Sequence, residues 1–128
     1  MKKQRTHRLG DLQLRIMKVL WEKQEATVSA VIAALPSAPE LAYTTVATML
    51  RKMEARGLLA HRVEGRSFIY RPKVAAEDVS RSMADHLVER LFEGSLTEAV
   101  SHLLRTREVS REELAQLERL IAERKKKS

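Results

Sequence analysis

The chain has 128 residues, a formal net charge of +7, 44% hydrophobic residues and no cysteine. That length holds one small domain, or one with a helical appendage, and with only five aromatic residues the core must be built of Leu, Val, Ile, Met and Ala. The lack of cysteine excludes disulfides and thiolate metal sites, and no apolar run is suited to a membrane span or a signal peptide, so a cytoplasmic protein without a membrane segment is expected.

Residues 1–8 carry Lys2, Lys3, Arg5 and Arg8 and read as a flexible basic tail. A first helix is expected over 11–23. Gly10 is an acceptable N-cap, Asp11 complements the positive end of the helix dipole, and Leu9 and Leu14 have the spacing of a hydrophobic staple. Leu12, Ile16, Val19 and Leu20 recur at helical spacing on its inner face, and Trp21 is read as closing the core. Thr27 caps a short second helix over 28–35, with Val28, Val31, Ile32 and Leu35 inward. Pro36 and Pro39, with Ser37 and Ala38 between them, end it in a compact turn.

A third helix follows in AYTTVATMLRKMEARGLL, residues 42–59. Val46, Met49, Leu50 and Met53 form one apolar stripe, whereas Thr44, Thr48, Arg51 and Lys52 point roughly the other way, with Thr45 and Ala47 on the flanks. Glu54 sits nearer the buried side, and Gly57 supplies a left-handed residue that stops the helix. An outward face of hydroxyls and cations without an acid suits phosphates and base edges. Helix, short helix, Pro-containing turn and helix is the helix-turn-helix pattern.

After Gly57 the period changes to two. Leu59, His61 and Val63 alternate with Ala60 and Arg62, and residues 67–71 read as a returning strand that Pro72 ends. Glu64, Gly65 and Arg66 form the hairpin tip, where Gly65 can take a positive φ. A hairpin directly after a helix-turn-helix is a wing, which places Arg66 to reach phosphate or the minor groove. The charge distribution agrees: residues 1–73 carry +8, residues 74–104 carry −4 and residues 105–128 carry +3. More than the whole basic excess lies in the first segment, as expected of a polyanion-binding module.

Beyond residue 75 the periodicity is helical again. Over 76–93, Val79, Met83, Leu87 and Leu91 form one ridge, flanked by Ala84, Val88 and Phe92, and Gly94 ends the helix. A second helix from Ser95 or Leu96 to Arg105 brings Leu96, Ala99, Val100, Leu103 and Leu104 to one side. Ser110 to Glu113 reads as a capping box opening a third helix with Leu114, Leu117, Leu120 and Ile121, and the basic run 124–127 is expected to fray. Three thin helices in about 50 residues have too little depth to bury these stripes alone. A homodimer joined through Val79, Met83, Leu87, Leu91, Phe92, Val100, Leu103, Leu104, Leu114, Leu117 and Ile121 resolves this. The expected fold is mainly α: a basic tail at 1–8, a winged helix-turn-helix DNA-binding domain at 9–73 and a three-helix dimerisation domain at 74–128.

With these residues assembled, the chain resembles the penicillinase-repressor family of bacterial transcription factors, which includes the methicillin-resistance and copper-transport repressors. The resemblance runs from Leu9 to about Glu123. It rests on LGDLQLRIMKVLWEK, YTTVATMLRKMEARGLL, the wing VEGRSFIYRP and the junction FEGSL. It implies a homodimeric repressor on a palindromic operator with TACA/TGTA half-sites. By position, Thr44, Thr45 and Thr48 would enter the major groove, and Arg51, Lys52 and Arg66 would hold phosphates. The resemblance departs at Thr44, where the penicillinase and methicillin members carry Lys. Those members are released by a membrane sensor-protease system that cleaves an Asn-Phe bond, and the matching bond here is His102-Leu103. The copper-responsive members sense metal through C-terminal cysteines, which this chain lacks.

Other function classes fit less well. His7, His61, His86 and His102 are scattered, with no convergent nucleophile or carboxylate pair, so no enzyme, cofactor or metal site is expected. His86 with Asp85 or Glu89 is the nearest approach to a metal site and reads as helix surface. A non-specific architectural DNA-binding protein would share the basic front half without needing a wing. A ligand-responsive winged-helix regulator would need a pocket with convergent polar groups, which the aliphatic C-terminal region does not supply.

Overall fold

The structure, a computed structural model, describes residues 9–35 and 41–128. The basic tail and the turn at Pro36 and Pro39 lie outside these residues. The element order is α1 (Asp11–Lys23), β1 (Ala26–Thr27), α2 (Val28–Ala34), α3 (Tyr43–Ala55), β2 (Leu59–Glu64), β3 (Ser67–Pro72), α4 (Ala76–Phe92), α5 (Leu96–Thr106) and α6 (Arg111–Lys127). The chain forms two compact units, one ending at Ala84 and one running from Asp85 to Ser128.

The first unit is a winged helix. Its helices start and stop for local reasons. The Thr27 hydroxyl accepts the Ala30 N–H at 3.1 Å and caps α2. At the end of α3, Gly57 takes φ +83°. Its N–H reaches the Glu54 carbonyl at 2.9 Å, and the Leu58 N–H reaches that of Met53 at 3.0 Å, the pair of bonds that defines a Schellman motif. The motif turns the chain so that Leu58 and Leu59 enter the core as the wing begins.

The sheet has the order β1-β3-β2 and is antiparallel throughout. Glu64 pairs with Ser67, leaving Gly65 and Arg66 as a two-residue loop in which Gly65 has φ +62°. β1 was not expected from the sequence. Two residues carry no periodicity, and Ala26 and Thr27 form a strand only because Tyr70 and Ile69 lie alongside. Ile16, Met17 and Leu20 of α1, Val28 and Val31 of α2, Val46, Leu50 and Met53 of α3, and Tyr70 of β3 form one buried cluster. Burying each large aliphatic contributes about 1.5–3 kcal/mol. Trp21 lies at the edge of this cluster and donates its Nε1–H to the Val74 carbonyl at 2.9 Å, a structural role.

In the second unit, the Ser95 hydroxyl caps α5 by accepting the Glu98 N–H, and the Ser110 hydroxyl caps α6 by accepting the Glu113 N–H, each at 3.0 Å. α4 closes through two successive left-handed residues, Glu93 at φ +48° and Gly94 at φ +84°. The basic run 124–127 does not fray: α6 stays helical through Lys127, where four cations face the negative end of the helix dipole. Ala99 is the sole buried hydrophobic residue from Asp85 onward.

Candidate nucleic-acid interface

The site is the outward face of α3 together with the end of the hairpin. Val46, Leu50 and Met53 fix the rotation of α3 by being fully buried, so Thr44, Thr45, Thr48, Arg51 and Lys52 are all exposed, as their spacing predicts. The structure brings two of them together: Arg51 Nη2 donates to Thr48 Oγ1 at 3.3 Å. The hydroxyl proton of Thr48 then remains available as a donor. Arg66 stands apart at the exposed hairpin tip.

Glu54, the acid of α3, is drawn away from this face. Its carboxylate accepts from His61 Nδ1 on β2 at 2.7 Å. The His61 ring stacks on Phe68 of β3 at 4.3 Å between centroids, nearly parallel, and lies 5.7 Å from Tyr70. α3 and the wing are therefore joined through a polar contact backed by an aromatic stack. Tyr70 is buried, which pushes its hydroxyl pKa up, with the nearby Glu54 charge acting in the same direction.

Two further anchors were not legible in the sequence. Gln13 of α1 accepts from the Gly10 N–H and from Arg56 Nη1, and its amide nitrogen contacts Met49 Sδ, each at 3.3 Å. It thereby ties the start of α1 to Met49 within α3 and to Arg56, the residue that caps its C-terminus. Arg62 of β2 donates to Glu25 at 2.8 Å and also pairs with Glu64. Arg62 holds the Glu25 carboxyl below the usual range by hydrogen bond and by charge, and its own guanidinium is pushed up by the two acids. A lone Gln and a lone Arg in these positions carry no sequence signal, because their partners are remote in the chain.

The residues expected at a dimer interface are distributed differently. Val79 is buried within the single chain and has no surface left to offer. Met83, Phe92 and Leu117 are half-buried, and Leu87, Leu91, Val100, Leu103, Leu104, Leu114 and Ile121 are exposed. His102 and Leu103 are exposed near the middle of α5, with the His102 ring 5.5 Å from Phe92. Among the described residues no cluster of His, Asp or Glu is arranged to hold a metal, and no helix is long and apolar enough to cross a membrane.

Known proteins share this architecture. The family model described as "Penicillinase repressor" matches residues 9–123. The chain is 29% identical over 117 residues to the penicillinase repressor of Bacillus licheniformis, covering 91% of each chain. It is 34% identical over 118 residues to the transcriptional regulator BlaI of Mycobacterium tuberculosis, covering 91% of this chain and 84% of that one. A solution structure of the DNA binding domain of the repressor BlaI superposes with a TM-score of 0.50 at 30% identity, covering 59% of this chain and 93% of that one. The chain therefore belongs to the penicillinase repressor family, as a transcriptional repressor of the BlaI type whose winged helix is the counterpart of the BlaI DNA-binding domain.

Proposed function

We propose that the protein binds double-stranded DNA as a homodimer on a palindromic operator, of the TACA/TGTA type in its half-sites, and so represses transcription in the cytoplasm. The observation that carries this reading is the acid-free outward face of α3, with Thr44, Thr45, Thr48, Arg51 and Lys52 exposed and Glu54 turned to His61. The threonine hydroxyls read base edges in the major groove, while Arg51, Lys52 and the wing's Arg66 hold phosphates. Counterion release on forming those phosphate contacts supplies much of the affinity.

Dimerisation, the role assigned to residues 74–128, is supported by the apolar surface those residues leave in water. Leu91 is 68% exposed and Ile121 is 56% exposed, in a unit whose buried core residue is Ala99. A two-fold dimer reads two half-sites about one helical turn apart, which accounts for a palindrome. Release by a membrane sensor-protease system at His102-Leu103 belongs to the same proposal. The bond lies inside α5, so cleavage requires local opening of that helix to present an extended backbone. The test is a titration of purified protein against labelled palindromic and scrambled duplexes over a range of salt. Preference for the palindrome by several orders of magnitude supports the reading; a ratio near one identifies a non-specific architectural protein instead.

A further inference from the structure

The hairpin carries a feature that phosphate contacts do not use. Along one face of the wing the cross-strand pairs are Leu59 with Pro72, His61 with Tyr70, and Val63 with Phe68. Leu59 and Tyr70 are buried at the base, yet at the tip Val63 is 58% exposed and Phe68 is 43% exposed. An apolar pair directly opposite on exposed strands stabilises the hairpin, but two such residues beside a cationic tip also leave apolar surface to be covered. The Phe68 ring is not loose: it lies flat against His61, which Glu54 holds at 2.7 Å, so its position is set by α3 itself.

We infer that Val63 and Phe68 form an apolar contact surface for duplex DNA, packing against deoxyribose along the minor-groove edge while Arg66 meets the adjacent phosphate. The inference rests on the DNA-binding reading above. Two features of the hairpin select DNA as the occupant. First, the surface is continuous with α3 through the Phe68–His61–Glu54 chain of contacts, so it moves as one piece with the helix proposed to enter the major groove. Second, the charges around it favour a polyanion: Arg66 is exposed at the tip, and the neighbouring acids Glu54 and Glu64 are paired with His61 and Arg62. Sugar edges are apolar and lie between phosphates, so an exposed apolar pair on a hairpin whose tip carries an exposed arginine is complementary to them.

The test uses the full chain and an operator duplex, with DNA affinity measured as a function of salt for wild type, Phe68→Ala, Val63→Thr and Arg66→Ala. An apolar contact contributes affinity without releasing counterions. Phe68→Ala should therefore weaken binding roughly tenfold and Val63→Thr roughly threefold, with the salt slope of wild type retained. Arg66→Ala should instead reduce that slope by about 0.9. Val63→Thr keeps the branched shape that suits a strand, so it tests the contact without disturbing the hairpin. If Phe68→Ala lowers the slope as Arg66→Ala does, Phe68 merely supports the wing and the inference fails. Unchanged affinity in both apolar variants overturns it as well, as does a loss of dimer in sedimentation with DNA binding per dimer preserved. Failure of wild type to prefer the operator would instead remove the operator-specific reading itself, and failure to bind any duplex would remove DNA binding altogether.

Discussion

Glu54 of α3 and His61 of β2 meet at 2.7 Å across the junction between α3 and the wing. The contact draws an acid away from the face proposed to approach phosphate, and it couples the two elements proposed to touch DNA. Both side chains are about one-third exposed, so the pair is worth less than a buried one. Comparing Glu54→Ala, His61→Ala and the double variant by urea unfolding should give a coupling of about 1 kcal/mol. A coupling near zero would mean that the aromatic stack alone sets the wing.

Backbone strain gives a second prediction. Gln24 closes α1 at φ +75°, ψ −39°, a conformation that side chains with a Cβ rarely adopt. Gln24→Gly should raise stability by about 1 kcal/mol, read as a rise of a few degrees in thermal midpoint. Gly94 is the reverse case. At φ +84° an added methyl is strained, and it would lie 3.1 Å from the Glu89 carboxylate. Gly94→Ala should cost about 1–2 kcal/mol.

Trp21 tests the link between α1 and the segment that follows the wing. Trp21→Phe retains an aromatic ring but leaves the Val74 carbonyl without its 2.9 Å donor. Chemical denaturation should show a loss of about 1–2 kcal/mol.

The Glu25–Arg62 pair predicts a pH effect of stated sign. Because Arg62 depresses the Glu25 pKa in the folded chain, the pair's contribution is present above the ordinary glutamate range and is lost as the pH falls through the lowered value. The group is exposed, so the effect should be small and should shrink further in 1 M salt. Measuring stability against pH for wild type and Glu25→Gln should show the two curves converging in acid. Parallel curves would mean that the ion pair contributes nothing in solution.

The proposed dimer predicts that charge placed on the exposed helical stripe disrupts assembly without unfolding the winged helix. Leu91→Lys or Ile121→Lys should weaken self-association at least a hundredfold in sedimentation equilibrium, since each would bury an unpaired ammonium. The helical circular dichroism of the first unit should persist. A wild-type protein that sediments as a folded monomer at micromolar concentration would remove the dimer from the proposal.

Much of this protein is legible in its sequence because the signals are local. The 3.6-residue stripe of Val46, Leu50 and Met53 dictates which side of α3 faces out, and so it designates Thr44, Thr45, Thr48, Arg51 and Lys52 before any tertiary contact is considered. Gly57 and Gly65 mark the helix stop and the hairpin tip because each takes a positive φ between two regular segments, a conformation that glycine adopts without strain. Capping by Thr27 and Ser110 is readable for the same reason: donor and acceptor lie three residues apart.

What only the tertiary structure decided depends on residues distant in sequence. Gln13 reaches Met49 and Arg56 across 36 and 43 positions, and Trp21 reaches Val74 across 53. β1 exists because β3 passes beside it, not because Ala-Thr favours a strand. Val79 shares the spacing of Met83, Leu87 and Leu91, yet it is buried while Leu87 and Leu91 remain in water. Periodicity assigns a residue to a face of its helix. Whether that face is covered within the chain is settled by what packs against it, and no local pattern encodes that.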